Sequence, residues 1–412
     1  MRYRKRILEE KILKLARQFP IIVLNGARQA GKSTLLDHLF GKKMRRVVFD
    51  PVIDVENARQ DPELFLSLNP PPLILDEIQY VPNLAPVLKR LADERKDEMG
   101  LFFVTGSQQF AVIKSITESL AGRAAMLDLP GFSLKEIFET VNQPGLLLKL
   151  LTSEKIPKNI TSLSVSKPNL AQLMIKGAYP RTLEMDEQGT LAWFESYLKT
   201  YVERDIRLLG DISDLQMFTR FTRLCAQLSA QEINHSHLGR EIGVDPKTAK
   251  SWLSILKASY QWLEIPAYSG NTTKRLSEKP KGYFSDVGFA CFLSSIFSAT
   301  SLMSHPLFGN LFETFVVNEI FKQLHYLPAL PALYHWRSHG GAEIDLIIEK
   351  DGKFWLIEAK LAARPSLKDL RGMQAFRETY PRKQIAMQII VSGGNEIMRL
   401  DENTVVIPIT EL

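Results

Sequence analysis

The feature that most constrains the fold is a glycine-rich segment near the amino terminus. Residues 26–33, Gly-Ala-Arg-Gln-Ala-Gly-Lys-Ser, match the spacing GxxxxGK[ST]. The apolar run IIVLN precedes this segment, and a helix-forming stretch, STLLDHLF, follows it. This strand–loop–helix order surrounds a phosphate group with backbone amides and a helix N-terminus. The segment therefore predicts a nucleoside triphosphate site on a parallel α/β sheet.

The residue types of this loop predict how it holds ATP and Mg²⁺. The glycines let backbone N–H groups wrap the β-phosphate, Lys32 reaches the β- and γ-phosphates, and the Ser33 hydroxyl is a ligand of Mg²⁺. The predicted nucleotide contacts in this part of the chain are Gly26, Ala27, Arg28, Gln29, Ala30, Gly31, Lys32, Ser33 and Thr34.

Four more apolar runs follow the first at intervals filled by helical patterns: RRVVFD, PPLILDE, LFFVTGS and AAMLDL. Continuous apolar runs separated by helices are typical of a parallel sheet that is buried on both faces. The sequence thus predicts a five-stranded P-loop NTPase domain over residues 1–140.

Polar side chains stand at the ends of these runs, where a parallel sheet places its ligands. We predict that Asp76 contacts the nucleotide through Mg²⁺ and that Glu77 polarises the attacking water. Thr105, Ser107 and Gln108 follow the fourth run. Ser107 is the preferred sensor of the γ-phosphate, and a polar strand cap is the alternative.

Arg123 follows Gly122 in the segment SLAGR. An arginine after a glycine turn suits a catalytic finger that reaches the nucleotide of a neighbouring subunit. This interpretation predicts a homo-oligomer, with a hexameric ring as one arrangement. A surface salt bridge is the alternative role for Arg123.

Residues 237–259 have the punctuation of a helix-turn-helix. Gly243 supplies the turn, and Asp245 and Pro246 cap and begin a second helix that presents Lys247, Thr248, Lys250 and Ser251. Trp252, Leu253, Leu256 and Trp262 form its predicted buried side. The stretch 271–281, with Lys274, Arg275, Lys279 and Lys281, reads as a basic wing. DNA, duplex or branched, is the predicted partner, and an internal packing module is the alternative.

The segment GAEIDLIIEK-DG-KFWLIEAK predicts a hairpin with Asp351–Gly352 as its two-residue turn. Paired positions then sum to the same value, so Asp345 lies opposite Glu358 and Glu343 opposite Lys360. Carboxylates facing each other across a strand pair repel unless a cation intervenes. A divalent metal is one such cation, and the Lys360 ammonium is the other.

Taken together, the motifs GARQAGKST, LDEIQ, TGSQQF, SLAGR, GAYP, YVERDI, KRLSEKPKGYFSDVGFA and WRSHGGAEIDLII resemble the bacterial and archaeal AAA+-like ATPases that carry a C-terminal DUF4143 domain. The resemblance runs through nearly the whole chain. It implies an AAA+-type ATPase domain, a winged-helix-like middle domain and a restriction-endonuclease-like C-terminal fold. With these expectations the domains are residues 1–140, a helical linker or lid at 141–229, a winged-helix-like domain at 230–300 and the nuclease-like domain at 301–412.

The nuclease-like fold that this resemblance implies uses an Asp…Glu-x-Lys pattern, which Asp345, Glu358 and Lys360 match. In PD-(D/E)xK nucleases the acids hold Mg²⁺, and the lysine orients the water or steadies the developing charge. A preceding helix lends a further acid, and Glu313 is the candidate. The predicted metal ligands are therefore Glu313, Asp345 and Glu358, with Lys360 as a catalytic residue.

Composition adds little to these expectations. A net charge of +6 on 412 residues is compatible with a polyanionic partner. Cys225 and Cys291 give neither a disulfide framework nor a metal spacing, so we expect a cytoplasmic protein. The first residues carry charges where a signal peptide needs an apolar stretch, and we expect no membrane span.

Two functions fit the sequence best. The first is an ATP-hydrolysing protein that acts on DNA and whose C-terminal domain binds or cleaves it. The second is an ATP-dependent switch or scaffold for a protein partner, with an inactive nuclease fold. A small-molecule P-loop kinase fits less well, because it leaves the helix-turn-helix and the carboxylate hairpin without a role.

Overall fold

The fold is taken from a computed structural model, which describes residues 2–49, 55–106, 120–153, 169–201, 206, 212, 214–271, 275 and 278–412. Its amino-terminal part contains a five-stranded parallel sheet with the strand order β2-β3-β4-β1-β5. The strands are β1 (Ile21–Asn25), β2 (Arg45–Val48), β3 (Leu73–Asp76), β4 (Phe102–Gly106) and β5 (Ala124–Asp128). The predicted parallel sheet of five strands is therefore confirmed.

Helices cover both faces of this sheet, which explains the uninterrupted apolar runs. Ile21 and Val23 of β1 pack into one core, and Ile22 and Leu24 pack into another on the opposite face. Side chains of a strand alternate between faces, so a central strand covered on both sides is apolar at successive positions. The covering helices are α1 (Glu9–Leu15), α2 (Lys32–Phe40), α3 (Val55–Gln60), α4 (Pro62–Leu68) and α5 (Leu84–Glu94).

The middle of the chain is mainly helical and ends in a small antiparallel sheet. Its helices are α6 (Leu134–Ile137), α7 (Leu146–Ser153), α8 (Leu170–Lys176), α9 (Glu187–Thr200), α10 (Leu215–Gln227), α11 (His235–Ile242), α12 (Pro246–Ala258) and α13 (Val287–Leu293). The sheet has the order β6-β8-β7, formed by β6 (Gln231–Glu232), β7 (Trp262–Ile265) and β8 (Lys281–Phe284).

The turn between α11 and α12 follows the predicted chemistry. Gly243 ends α11 with a φ of 78°, a left-handed conformation that favours glycine. The Asp245 carboxylate accepts hydrogen bonds from the backbone amides of Lys247 (2.8 Å) and Thr248 (3.0 Å), and Pro246 begins α12. The structure buries Trp252 and Leu253 on the inner side of this helix.

The C-terminal part is a mixed six-stranded sheet with the order β13-β14-β12-β11-β10-β9. Two helices, α14 (Ala299–Ser304) and α15 (Phe308–Leu324), precede it, and α16 (Arg371–Thr379) lies between its third and fourth strands. The strands are β9 (Ala332–Arg337), β10 (Glu343–Lys350), β11 (Lys353–Lys360), β12 (Gln384–Ser392), β13 (Met398–Arg399) and β14 (Thr404–Pro408). Strands β9, β10 and β11 run antiparallel, whereas β12 is parallel to β11 and to β14.

Helix α15 joins the two large sheets. Its buried Glu319 accepts hydrogen bonds from the backbone amide of Leu134 at 3.0 Å, and its Lys322 donates to the carbonyl of Phe132 at 3.1 Å. Burial raises the pKa of Glu319 to about 7. Within the described parts of the chain, every helix is too short or too polar to cross a bilayer.

Candidate functional site

The predicted phosphate loop connects the end of β1 to the start of α2 in an unusual backbone conformation. Gly26, Gln29 and Gly31 have positive φ values of 146°, 64° and 92°. A Cβ atom on Gly26 would lie 2.3 Å from the carbonyl oxygen of Leu129, so this position requires glycine. The tight winding leaves a concave loop at the carboxyl edge of the sheet.

The Lys32 side chain is held inside this loop. Only 4% of the residue is exposed, and its ammonium donates hydrogen bonds of 2.9 Å to the carbonyl oxygens of Gly26 and Ala27. Thr34 lies exposed on the first turn of α2, whereas Arg28 is half-buried in the loop. The predicted nucleotide contacts differ in exposure: Gln29 and Thr34 are exposed, Arg28, Gly31 and Ser33 are half-buried, and Gly26, Ala27, Ala30 and Lys32 are buried.

Oxygen atoms from helix α2 and strands β3 and β4 meet beside the loop. The Ser33 hydroxyl donates a hydrogen bond to Asp76 Oδ1 at 2.9 Å, and the Thr105 hydroxyl donates to the same atom at 2.5 Å. Thr105 Oγ1 also accepts from the backbone amide of Glu77 at 3.0 Å. Hydroxyl and carboxylate oxygens are the ligands that Mg²⁺ prefers, and Ser33 and Asp76 fit such an ion next to bound phosphates.

Glu77 follows this network in a strained conformation. Its φ of 62° lies in the left-handed region, and its carboxylate accepts a hydrogen bond from the side-chain amide of Gln79. Left-handed non-glycine residues are uncommon and cluster at functional sites. The predicted sensors Ser107 and Gln108 lie outside the described residues, so Thr105 is the polar group of this segment that the structure places at the site.

An arginine that the sequence analysis did not select braces the loop from behind. Arg6 is 3% exposed and donates to the carbonyl of Ala30 at 2.7 Å and to that of Pro130 at 2.6 Å. Its guanidinium also pairs with Glu136 at 2.9 Å. Glu136 completes a capping box with Ser133, and the Ser-x-x-Glu spacing could have pointed to this carboxylate.

Arg123 is not part of this site within one chain. It directly precedes β5 at the amino edge of the sheet, and its carbonyl accepts a hydrogen bond from Ile21 N at the start of β1. The loop leaves from the other end of β1, roughly 16 Å away for a strand of this length. Arg123 Nε pairs with Asp93 Oδ1 at 2.6 Å, so a contact with nucleotide requires a second subunit.

The C-terminal hairpin has the predicted register from its turn to Leu346 and Ile357, and the predicted pairs Asp345–Glu358 and Glu343–Lys360 lie beyond this ladder. Asp351 and Gly352 both have positive φ, as a two-residue type I′ turn demands, and Lys350 pairs with Lys353. The ladder continues to Leu346 and Ile357. Next to this pair, the Asp345 carboxylate accepts a hydrogen bond from the backbone amide of Ala359 at 2.9 Å. A side chain of β10 thus bonds to the backbone of β11 at the end of the ladder.

The carboxylates at this end of the hairpin already have cationic partners. Lys360 Nζ lies 2.7 Å from Glu358 Oε1. Lys281, from β8 of the small sheet, lies 2.6 Å from Glu313 Oε1 and 3.3 Å from Asp345 Oδ1. We call these five residues the carboxylate cluster.

The burial of the cluster changes its proton affinities. Burial, reinforced by the Asp345 charge, raises the pKa of Glu313 and that of Glu358 to about 8. Burial alone would lower the pKa of Lys281, but the Asp345 and Glu313 carboxylates outweigh it and raise that pKa. Both lysines thus stay charged, and Glu313 and Glu358 hold protons to a higher pH than free carboxylic acids do.

The predicted metal ligands Glu313, Asp345 and Glu358 lie close together, but each of them is already paired with a lysine ammonium. Among the described residues, which include all three acids, no group of three or more His, Cys, Asp or Glu side chains could hold a metal ion. The physical reason is Lys281, whose ammonium stands between two of the carboxylates. The sequence position of Lys281 suggested an exposed wing. Its spacing of two residues from Tyr283, which places both side chains on one face of β8, was the signal for a buried strand.

The predicted basic wing is less exposed than its sequence suggested. Lys274 lies outside the described residues, and Lys281 is buried. The Arg275 guanidinium stacks on the rings of Tyr268 and Tyr334, at 4.3 Å and 5.1 Å from their centroids. Arg275 thus packs against the C-terminal sheet, whereas Lys279 of the predicted wing is exposed, as are Lys247 and Lys250 of α12.

Three family models match consecutive parts of the chain. A model described as an AAA domain matches residues 18–138. Two models of domains of unknown function follow, DUF8612 at residues 167–300 and DUF4143 at residues 308–412.

Uncharacterized proteins of Mycobacterium bovis and Mycobacterium tuberculosis are each 28% identical to the chain over 395 residues, which is 95% of this chain and 81% of theirs. Among solved structures, a Walker-type ATPase of Pyrococcus abyssi has a TM-score of 0.45 at 13% identity and covers 69% of this chain and 94% of its own. The Holliday junction branch migration motor of Thermotoga maritima has a TM-score of 0.32 at 14% identity, with coverages of 67% and 95%.

These structural scores describe a loose likeness, and the family models carry the assignment. An AAA model at the phosphate loop and a DUF4143 model at the C-terminal sheet match the two ends of the chain. The chain therefore combines an AAA domain that carries the phosphate loop with a C-terminal DUF4143 domain.

Proposed function

We propose that this protein hydrolyses ATP with Mg²⁺ at the phosphate loop and uses the reaction to act on DNA. The observation that carries the first half is the network in which Ser33 and Thr105 both donate to Asp76 beside the buried Lys32. Bound Mg²⁺ would neutralise charge on the phosphates, and Ser33 and Asp76 would hold it.

The remaining residues of the site divide the work of hydrolysis. Lys32 would exchange its bonds to the loop carbonyls for bonds to phosphate oxygens. The Glu77 carboxylate would accept a proton from the attacking water, and its backbone amide is fixed by Thr105. Arg6 would keep the loop in its wound form through the Ala30 carbonyl.

The experiment for this half compares the wild-type chain with Glu77→Gln. We expect ATP binding to persist and phosphate release to fall about 100-fold or more, as for loss of a general base. Glu98→Gln, an exposed surface carboxylate, is the matched control and should hydrolyse ATP normally. Unchanged phosphate release in Glu77→Gln would remove this residue from the mechanism.

The DNA half rests on the shape and charge of the middle region. A helix before β6, two helices after it and the sheet order β6-β8-β7 support a winged-helix module. Its α12 presents Lys247, Lys250 and Ser251 to solvent at the end where a recognition helix meets phosphates and bases. The wing contributes less than the sequence suggested, because Arg275 and Lys281 are engaged elsewhere.

DNA binding and DNA-stimulated ATPase activity test this half together. Single-stranded, duplex and branched DNA should be compared at low salt, and one of them should raise the ATPase rate. Lys247→Ala with Lys250→Ala should weaken binding and lower the salt dependence by about one counterion per lost phosphate contact. Indifference of binding and of ATP turnover to all three DNA forms would end the DNA proposal.

We propose further that Arg123 acts across a subunit boundary in a homo-oligomer, for which a hexameric ring is one arrangement. Its position at the amino edge of the sheet supports this, because it cannot reach the nucleotide of its own chain. Mixing Arg123→Ala chains with Lys32→Ala chains should restore part of the hydrolysis that each has lost. Normal turnover by assembled Arg123→Ala would contradict the finger role.

The second candidate, an ATP-dependent switch with an inactive nuclease fold, is favoured by one observation. The order α15-β9-β10-β11-α16-β12 supports a nuclease-like core, but its acids are already paired with lysines. Mg²⁺- or Mn²⁺-dependent cleavage of DNA that disappears in Asp345→Asn would favour the nuclease; ATP-dependent capture of a protein without cleavage would favour the switch.

A further inference from the structure

The β7–β8 hairpin brings a cation into the C-terminal sheet from another part of the chain. Lys281 and Tyr283 are two residues apart on β8, so their side chains leave the strand on the same face. Both reach Glu313 of α15: the Lys281 ammonium lies 2.6 Å from Oε1, and the Tyr283 hydroxyl donates to that atom at 2.8 Å. The same ammonium lies 3.3 Å from Asp345 of β10.

This ammonium lies where a divalent ion would have to be. Carboxylate oxygens contact Mg²⁺ at about 2.1 Å and Ca²⁺ at about 2.3–2.6 Å, so an ion held by Glu313 and Asp345 would overlap the position of Lys281 Nζ. Lys281 is 7% exposed, and its backbone is fixed by pairing with Ile265 on one side and Glu232 on the other. The residues therefore do not fit the metal that a nuclease-like fold implies.

We propose that the Lys281 ammonium, in place of a divalent metal, is the resident cation of the carboxylate cluster and fastens the β7–β8 hairpin to the C-terminal sheet. This goes beyond ATP hydrolysis and DNA binding and depends on neither. It assigns the cluster a role as a charged link between two domains.

Other contacts along the same hairpin show that it lies against this sheet. Tyr268 N donates to the carbonyl of His335 on β9 at 2.7 Å, and His335 N donates to that of Pro266 at 2.9 Å. Arg275 lies 3.6 Å from Glu349. Of these contacts, the one made by Lys281 joins a buried ammonium to buried carboxylates. Loss of Lys281 therefore leaves the negative charges of these carboxylates without a compensating cation.

The test measures Mn²⁺ binding to the full chain by the loss of its free electron paramagnetic resonance signal. An Asp76→Asn background removes metal binding at the phosphate loop. We expect no Mn²⁺ at the cluster of this otherwise unchanged chain and at least about tenfold tighter binding after Lys281→Met, the factor that about 1.4 kcal/mol represents. Lys281→Arg keeps the cation and should exclude Mn²⁺.

Two outcomes would overturn the proposal. One is Mn²⁺ binding with Lys281 in place that is lost on Asp345→Asn, because the cluster would then accept metal beside the lysine. The other is a folded Lys281→Met that gains no Mn²⁺ and keeps the hairpin as protected from hydrogen exchange as before. If Lys281→Met does not fold, the double variant Lys281→Met/Glu313→Gln removes both charges of the closest pair. Loss of the hairpin's protection from hydrogen exchange in the double variant supports the link. Unchanged protection contradicts it.

Discussion

The phosphate loop and the carboxylate cluster each combine a buried lysine with acidic side chains, yet the lysines bond to different groups in the two places. At the loop, Lys32 bonds to backbone carbonyls, and Asp76 accepts from two neutral hydroxyls. At the cluster, Lys281 and Lys360 bond directly to the carboxylates. At the loop, the nearest guanidinium, that of Arg46, lies 3.9 Å from Asp76 Oδ2, whereas at the cluster ammonium groups bond to the carboxylates at 2.6–2.7 Å.

The difference teaches what distinguishes a site for ligands from a charged link. A triphosphate and its metal bring four or more charges, which a site can receive when its own charges are held by neutral, exchangeable partners. In a buried ion pair, the attraction between the two charges offsets their cost of desolvation. A ligand can bind there only if the ion pair is broken first. The same residue types thus serve binding in one place and cohesion in the other.

The largest expected effect tests the cluster as a link. Lys281→Met leaves Glu313 and Asp345 without their cation, and breaking such a buried pair costs about 3–5 kcal/mol of unfolding free energy. Chemical denaturation above the raised pKa of Glu313 measures it. Lys257→Met, which removes a half-exposed ion pair with Glu264, is the matched control and should cost about 1 kcal/mol or less. Equal losses in both variants would break the comparison.

The next effect tests the loop as a ligand site. Lys32→Ala removes a charge aimed at the phosphates, and loss of one such group lowers the rate of hydrolysis about 100- to 1000-fold. Phosphate release at saturating ATP measures the change. Lys14→Ala, at an exposed lysine of α1, should leave it unaltered. A Lys32→Ala chain that hydrolyses ATP at the wild-type rate would show that the loop is not the catalytic site.

A smaller effect probes the neutral hydroxyls that hold Asp76. Thr105→Val removes the hydrogen bonds to Asp76 and Glu77, and one bond to a charged group contributes about 1.5–3 kcal/mol, so we expect about a tenfold slower hydrolysis or more. The Mg²⁺ concentration for half-maximal rate should rise as well. Thr222→Val is the same substitution at a buried helix hydroxyl, and its turnover should match wild type. Equal turnover in both variants would show that Asp76 does not need this hydroxyl.

The last expected effect concerns pH and the protonation of the cluster. Burial raises the pKa values of Glu313 and Glu358 to about 8, above the ordinary value of 4.5, so the folded state binds more protons than the unfolded state between these limits. The free energy of unfolding should therefore fall as pH rises from 4.5 to 8. The double variant Glu313→Gln/Glu358→Gln should flatten this slope in denaturation curves. An unchanged slope would place the titrating groups elsewhere.

Local sequence patterns predicted those features that depend on neighbouring residues. The strand before the loop, the turn at Asp351–Gly352 and the cap of Asp245 each follow from residue types within a few positions of each other. The register from Lys350 to Leu346 followed from the turn length alone. The contacts of Arg6 were not predicted, and Lys281 was assigned to an exposed wing, because each has its partners more than twenty residues away.

The sequence by itself determined the parallel sheet and the phosphate loop, since glycine spacing and apolar runs constrain the backbone wherever they occur. The tertiary structure alone decided which cation meets which acid. It placed Lys281 of one sheet against the carboxylates of another, and it set Arg123 at the edge of the sheet opposite the loop. Charges act through space over a few ångströms in a buried site, and no local pattern records which distant side chain arrives there.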